Sequence, residues 1–133
     1  MAVSAVYSWV YGYQAQSVRN SLRYVNGSDI VFSAASVGVV FDPRGRTQRY
    51  NRNAGTNAGC TNDIISLAVS KDGSYVAVGE KAARPRIVVF DAASGRTVSV
   101  ITGHRSGVSQ LAFSHSGTKL LSVGLDVTHR VAM

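Results

Sequence analysis

The sequence is poor in cysteine, proline and charge: 133 residues hold one Cys, two Pro and only 16% Asp, Glu, Lys and Arg. A single thiol, Cys60, forms no internal disulfide, and without a Cys-x-x-Cys pair no thiolate zinc site is expected. That usage suits a reducing, intracellular compartment. No apolar run approaches the roughly 18 residues a membrane helix needs, so no membrane partner is expected. Met1 to Val10 lacks the basic n-region of a secretory signal and reads as mature protein. Disorder is excluded by composition, because 45% of the residues are hydrophobic. The length fits one small domain.

Acidic residues are also scarce. Seven of them face fourteen basic ones, giving a net charge of +7. Eleven of the basic residues are Arg, and Arg44, Arg46, Arg49 and Arg52 stand close together. Such a balance favours an acidic partner, and the guanidinium fork suits carboxylate or phosphate. The plainer reading is a solvated loop and edge strand whose charge discourages unwanted pairing.

Chemistry-bearing motifs are missing too. No Gly-x-Ser-x-Gly elbow and no Gly-x-x-x-x-Gly-Lys phosphate loop occurs, and His104, His115 and His129 are not at metal-ligand spacing from one another or from Cys60. Neither a catalytic activity, a cofactor nor a metal is therefore expected. His115 falls in an ordinary polar turn, and Cys60 has no adjacent basic group to lower its pKa.

What is present is a repeat. At an offset of 44 residues, Gly59-Cys60 meets Gly103-His104, Leu67-Ala68-Val69-Ser70 meets Leu111-Ala112-Phe113-Ser114, Gly73 meets Gly117, and Arg86-Ile87 meets Arg130-Val131. Upstream, Val39-Val40-Phe41-Asp42 with Gly45-Arg46-Thr47 echoes Val88-Val89-Phe90-Asp91 with Gly95-Arg96-Thr97. Short strands at a period of about 40–45 residues spell propeller blades, and no long 3.6-residue pattern supports a helical solenoid. The predicted strands are 21–25, 29–34, 36–42 and 47–50; then 64–70, 75–80, 86–91 and 97–102; then 107–114, 118–124 and 129–133. Lys71-Asp72-Gly73 and Ala93-Ser94-Gly95 supply turns. Both faces of 64–70 are apolar or small, as in a sheet held between two neighbours.

Gly103-His104, Leu111-Ala112-Phe113-Ser114, Gly117, Leu120-Leu121-Ser122-Val123-Gly124 and Asp126 resemble a WD40 repeat. Trp9-Val10-Tyr11-Gly12-Tyr13, Arg19-Asn20, Leu22, Tyr24, Asp29-Ile30-Val31-Phe32 and Val37-Gly38-Val39-Val40 resemble the HELP motif of echinoderm microtubule-associated protein-like proteins. Asn62 to Ala68 and Ser122 to Asp126 add to that likeness. The resemblance covers roughly 7–133 and implies an all-β, partial WD40 propeller of about three four-stranded antiparallel blades. Residues 7–50 would hold the HELP motif and first blade, 59–102 the second, and 103–133 an incomplete third. It implies a hydrogen-bond network of His104, Ser122 and Asp126. The network's Trp falls at position 134, so the repeat is expected to run on past Met133 with an aromatic and an Asp. In the second blade Cys60, Phe90 and Ala82 replace the network, so that blade is expected to rely on packing alone.

The alternating Tyr7, Trp9, Tyr11 and Tyr13 put four rings on one face if extended. They are expected to pack against a sheet or a neighbouring propeller, as HELP segments do in the family; a binding stripe is the other reading. The function implied is non-catalytic docking on tubulin or a microtubule-based assembly, in the cytoplasm and cytoskeleton, with the ciliary or flagellar axoneme as one such assembly. Other blades or chains would cover the open edges, and 1–133 alone is expected to aggregate or order only in part. The alternatives are a general WD40 protein–protein scaffold and, less favoured for want of any RNP-type motif, a basic nucleic-acid module.

Overall fold

The computed structural model describes residues 10, 18, 21–51, 60, 62–126 and 131–133. Among them the chain forms eleven strands and no helix. The strands are Leu22–Val25 (β1), Asp29–Ala34 (β2), Val37–Asp42 (β3), Thr47–Asn51 (β4), Ile64–Val69 (β5), Tyr75–Glu80 (β6), Arg86–Asp91 (β7), Thr97–Thr102 (β8), Val108–Phe113 (β9), Leu120–Gly124 (β10) and Val131–Ala132 (β11). They pair in sequence order into antiparallel sheets β1-β2-β3-β4, β5-β6-β7-β8 and β9-β10-β11. Three consecutive up-and-down sheets are the all-β, partial propeller expected from the repeat.

The 44-residue period reaches the backbone. Gly73 and Gly117 each turn the chain at φ +74°, a left-handed value that glycine adopts without a Cβ clash. In β5 the ladder slips between Ile64 and Ser66, and in the third sheet it slips where Val108 and Gln110 meet Gly124 and Val123. The extra residues, Ile65 and Ser109, are again 44 apart. A bulge of this kind bends and twists an inner strand, which a radial stack of sheets requires.

The second sheet is filled from both sides. Val76 and Val78 of β6, with Val88 and Phe90 of β7, join Val25, Val31 and Val40 of the first sheet in one apolar layer. The intervening residues Ala77 and Ile87 join Val108 in another, with Val89, Leu111, Phe113 and Leu120 packed against it. Strand alternation thus divides one sheet between two neighbours. Small residues set the spacing. A Cβ on Gly38 would lie 3.0 Å from the Phe90 ring, and one on Gly79 would overlap Ser66 Oγ and lie 2.7 Å from Val108 Cβ. Between the first two sheets, Ile64 N donates to the Ala35 carbonyl at 2.8 Å.

All three sheets point the same way. The β1–β2 turn meets the β5–β6 turn where Gly73 approaches Asn26, and the β5–β6 turn meets the β9–β10 turn where Lys71 Nζ lies 2.8 Å from His115 Nε2. These turns and the β3–β4 and β7–β8 turns share one end of the strands. The β6–β7 and β8–β9 loops lie at the other end.

Candidate functional site

The β3–β4 turn carries Arg44 and Arg46 at its tip. Asp42 does not pair with either guanidinium; its Oδ1 accepts from the Arg44 backbone N–H at 2.9 Å and so ties the turn to itself. Both arginine side chains are exposed, and neither has a hydrogen-bond or ion-pair partner among the described residues. Arg46 adopts φ +52°, a left-handed conformation uncommon for a residue with a Cβ.

Arg49, in the middle of β4, sits differently. Its Nη2 meets Asp29 Oδ2 at 2.7 Å and its Nε donates to the Ala92 carbonyl at 3.1 Å, with the side chain 28% exposed. Asn51 Nδ2 donates beside it to the Gly95 carbonyl and to Thr97 Oγ1, at 3.0 and 2.9 Å. Arg49 and Asn51 therefore strap the first sheet to the β7–β8 turn of the second. Arg52 lies outside the described residues, as do Tyr7, Trp9, Tyr11 and Tyr13. Val10, between those aromatics, is held by a side-chain amide. Its N–H donates to Gln48 Oε1 at 2.8 Å and its carbonyl accepts from Gln48 Nε2 at 3.1 Å. Tyr50 Oη donates to the same Gln48 oxygen and fixes it.

Of the predicted blade network, His104 and Ser122 are brought together, with His104 Nε2 2.7 Å from Ser122 Oγ, both residues buried. The Ser122 hydroxyl also lies 3.4 Å from the Ala132 carbonyl. The β8–β9 loop, β10 and β11 are brought together at Ser122. Asp126 is half-buried, two residues past β10.

The second blade does not rely on packing alone, contrary to the sequence-based expectation. Glu80, at the end of β6, is 1% exposed and still hydrogen-bonded. Its Oε1 accepts from Arg86 N at 3.0 Å, with Arg86 Nε at 3.5 Å, and its Oε2 accepts from Asn62 N at 3.3 Å. A buried carboxylate satisfied in this way ties the β6–β7 loop to the start of β5. Sequence reasoning missed Glu80 because the repeat aligns it with Gly124. The geometry supplies the signal: a Cβ on Gly124 would lie 2.6 Å from His104 Nδ1. Where Cys60 stands in place of the histidine, a longer side chain fits at position 80. Cys60 is buried, and desolvation, then the Glu80 charge, push its thiol up to about 12 against a smaller opposing effect of Arg86. Such a thiol is inert at neutral pH. Among the described residues no group of His, Cys, Asp and Glu is placed to hold a metal ion.

Repeated four-stranded sheets, a Gly-His pair hydrogen-bonded to a serine on the second strand, and a period of 44 residues define a WD40-repeat propeller segment, a protein–protein interaction fold. The WD domain, G-beta repeat family matches residues 95–126 and the HELP motif family residues 4–39. The chain is 31% identical over 127 residues to echinoderm microtubule-associated protein-like 1 of Homo sapiens, covering 86% of this chain and 15% of that protein. It is 33% identical over 117 residues to echinoderm microtubule-associated protein-like 4 of Xenopus laevis, covering 80% and 12%. Among solved structures it is similar to U3-55K, at a TM-score of 0.68 and 26% identity, over 83% of this chain and 34% of that one. The chain belongs to the echinoderm microtubule-associated protein-like family, in which a HELP motif precedes WD40 repeats. It spans about 15% of the length of these curated relatives or less. WD40 repeats and the proteins of this family are typically non-catalytic scaffolds.

Proposed function

We propose that this chain is part of a non-catalytic, microtubule-associated protein, and that the β3–β4 turn meets an acidic surface of tubulin or of a microtubule-based assembly. The observation that carries the reading is Arg46. It keeps a long cationic side chain at φ +52°, where glycine would be the less strained residue, and its guanidinium is exposed beside that of Arg44. Strain of this kind points from geometry to use. The names of the relatives supply the partner. The site of action would be the cytoplasmic cytoskeleton, the axoneme being one assembly of that kind. Contacts between exposed charges mainly speed association and fade with salt, because the Debye length is only about 8 Å at physiological ionic strength.

Co-sedimentation with microtubules at low salt tests the proposal. Wild type is expected in the pellet, and Arg44→Ser with Arg46→Gly is expected to bind roughly tenfold more weakly with an unchanged melting temperature. If the variant pellets like wild type, the turn is only a solvated corner. If neither pellets, the tubulin reading gives way to a general WD40 scaffold, which rests on the WD40 repeat alone. Binding to RNA in place of microtubules would support the nucleic-acid alternative.

A further inference from the structure

The β5–β6 and β9–β10 turns share one backbone frame and differ where the first carries a charge. Gly73 N donates to the Ser70 carbonyl and Ser70 N to the Tyr75 carbonyl; 44 residues on, Gly117 N donates to the Ser114 carbonyl and Ser114 N to the Lys119 carbonyl, each at 2.9 Å. The Ser70 and Ser114 hydroxyls accept from Tyr75 N and Lys119 N at 3.0 and 3.1 Å. Asp72 of the first turn has Ser116 as its counterpart in the second. Asp72 Oδ1 accepts from Ser70 Oγ at 2.7 Å and from Ser74 N at 3.1 Å, and these bonds, that of Ser70 foremost, hold its carboxyl below the ordinary aspartate pKa. The frame thus favours a negative charge. In the β9–β10 turn the same frame holds only the Ser116 hydroxyl, 3.2 Å from Ser114 Oγ and 2.8 Å from Thr118 Oγ1.

Around Ser116 there is both room and positive charge. A Cβ on Gly73 would run into Asn26 of the first sheet, so the space beside the β5–β6 turn is filled. At Gly117 nothing lies within 4 Å of the Cβ direction, although the second sheet, the neighbour on that side, is in place. What the second sheet sends towards this turn is Lys71, its ammonium 2.8 Å from His115 Nε2. Lys119 is exposed three residues beyond Ser116. Neither lysine pairs with a carboxylate among the described residues. Asp72, the carboxylate next to Lys71 in sequence, is engaged by Ser70 and Ser74. Ser116 is exposed, and so is Asp72 with a sheet packed on either side of its own, so this position stays open inside a stack.

We propose that Ser116 is a phosphorylation site, its phosphate standing where the preceding repeat carries the Asp72 carboxylate. The Ser116 oxygen attacks the γ-phosphorus of a nucleoside triphosphate held by a serine kinase. The bond from that phosphorus to its bridging oxygen breaks, the nucleoside diphosphate leaves with the electron pair, and the hydroxyl proton passes to the kinase's base. The product carries a charge of about −1.5 to −2 and three acceptor oxygens. Ser114 Oγ and Thr118 N donate to it as Ser70 Oγ and Ser74 N do to Asp72, and Lys71 reaches it from the second sheet. The modification thereby clamps the β9–β10 turn to the β5–β6 turn. Ser114 is the poorer target, half-buried and with its oxygen already accepting from Lys119 N. The site is separate from the β3–β4 turn and stands whether or not that turn meets tubulin.

Phosphopeptide mass spectrometry of the full chain, expressed in cultured eukaryotic cells and harvested with phosphatase inhibitors, tests the site. Phosphate is expected on Ser116. Amide hydrogen exchange over residues 114–119 tests the clamp, comparing unmodified chain with chain synthesised to carry phosphate on Ser116. Phosphorylation is expected to slow that exchange roughly fivefold, and Ser116→Asp, which restores only a carboxylate, to slow it less. Lys71→Met is expected to remove most of the slowing that phosphate brings while leaving the unmodified turn within about twofold of wild type. Both substituted residues are exposed, and unchanged exchange over β6 confirms that the variants are folded. The proposal is overturned by absence of phosphate from Ser116, by phosphate confined to Ser114 or Thr118, or by phosphorylation that leaves exchange unchanged or faster. Full retention of the slowing in Lys71→Met overturns the clamp between the two turns.

Discussion

Glu80 and Cys60 are two departures from the repeat that explain each other. The 44-residue offset shows each as an isolated irregularity, Cys60 opposite His104 and Glu80 opposite Gly124. Only the packing of Gly124 against His104 Nδ1 reveals that the two positions compete for one space. That is why the sequence offered no buried carboxylate here. Removing one partner of a buried, hydrogen-bonded ion pair leaves groups unsatisfied, so Glu80→Ala is expected to cost about 3–5 kcal/mol in urea unfolding, with Glu80→Gln less damaging. Cys60 gives a second expectation. Its folded pKa lies above its unfolded one, so the stability it contributes is full below the ordinary thiol range and is lost as the pH climbs towards about 12. At pH 8 the thiolate is suppressed roughly a thousandfold, and iodoacetamide should label Cys60 only after denaturant is added. Labelling of the native protein at a free-thiol rate would contradict the burial.

At the scale of elements, the strands were legible because three signals agreed: a fixed offset, glycine at turns, and two apolar faces on β5. Expected and observed strand ends differ by one or two residues, at the usual frayed positions such as Ser36 and Thr118. The contacts that join sheets were less legible, because they pair residues that are unremarkable alone. Arg49 reads in the sequence as one more member of a basic cluster, yet it is half-buried against Asp29 and Ala92. Arg49→Ser is therefore expected to lower stability, unlike changes at Arg44 and Arg46. Gly79 sits at a close approach between the second and third sheets. Adding a methyl there drives against Ser66 and the Val108 side chain, whose backbone is fixed by the next sheet. Gly79→Ala should destabilise by about 1–3 kcal/mol, the range for overpacking a core, while a methyl at open Gly27 meets no atom and acts only through its positive φ. Equal melting of Gly79→Ala and wild type would mean that the sheets part without cost.

For the whole molecule, the repeat also predicts a surface. On the face of the second sheet that meets the third, Ala68, Ala77 and Ile87 are buried at 6%, 0% and 2% exposure. Adding 44 gives Ala112, Leu121 and Val131 on the outer face of the third sheet, where cross-strand pairing of Ala112 with Leu121 and of Val123 with Val131 places them together. There Leu121 is 39% exposed and Val131 63%. The same positions that one sheet buries are left open by the next, because the occupant that covered them in the second sheet was the third. Each blade in a radial stack is stabilised mainly through its neighbours, and an uncovered apolar face with strand edges favours association. The chain by itself is thus expected to self-associate with rising concentration in sedimentation experiments, and Leu121→Lys, which charges that face without touching a core layer, should shift it towards the monomer. A 133-residue chain that stays monomeric and melts cooperatively would show that the exposed face needs no cover, and would remove the main reason for expecting further blades beside it.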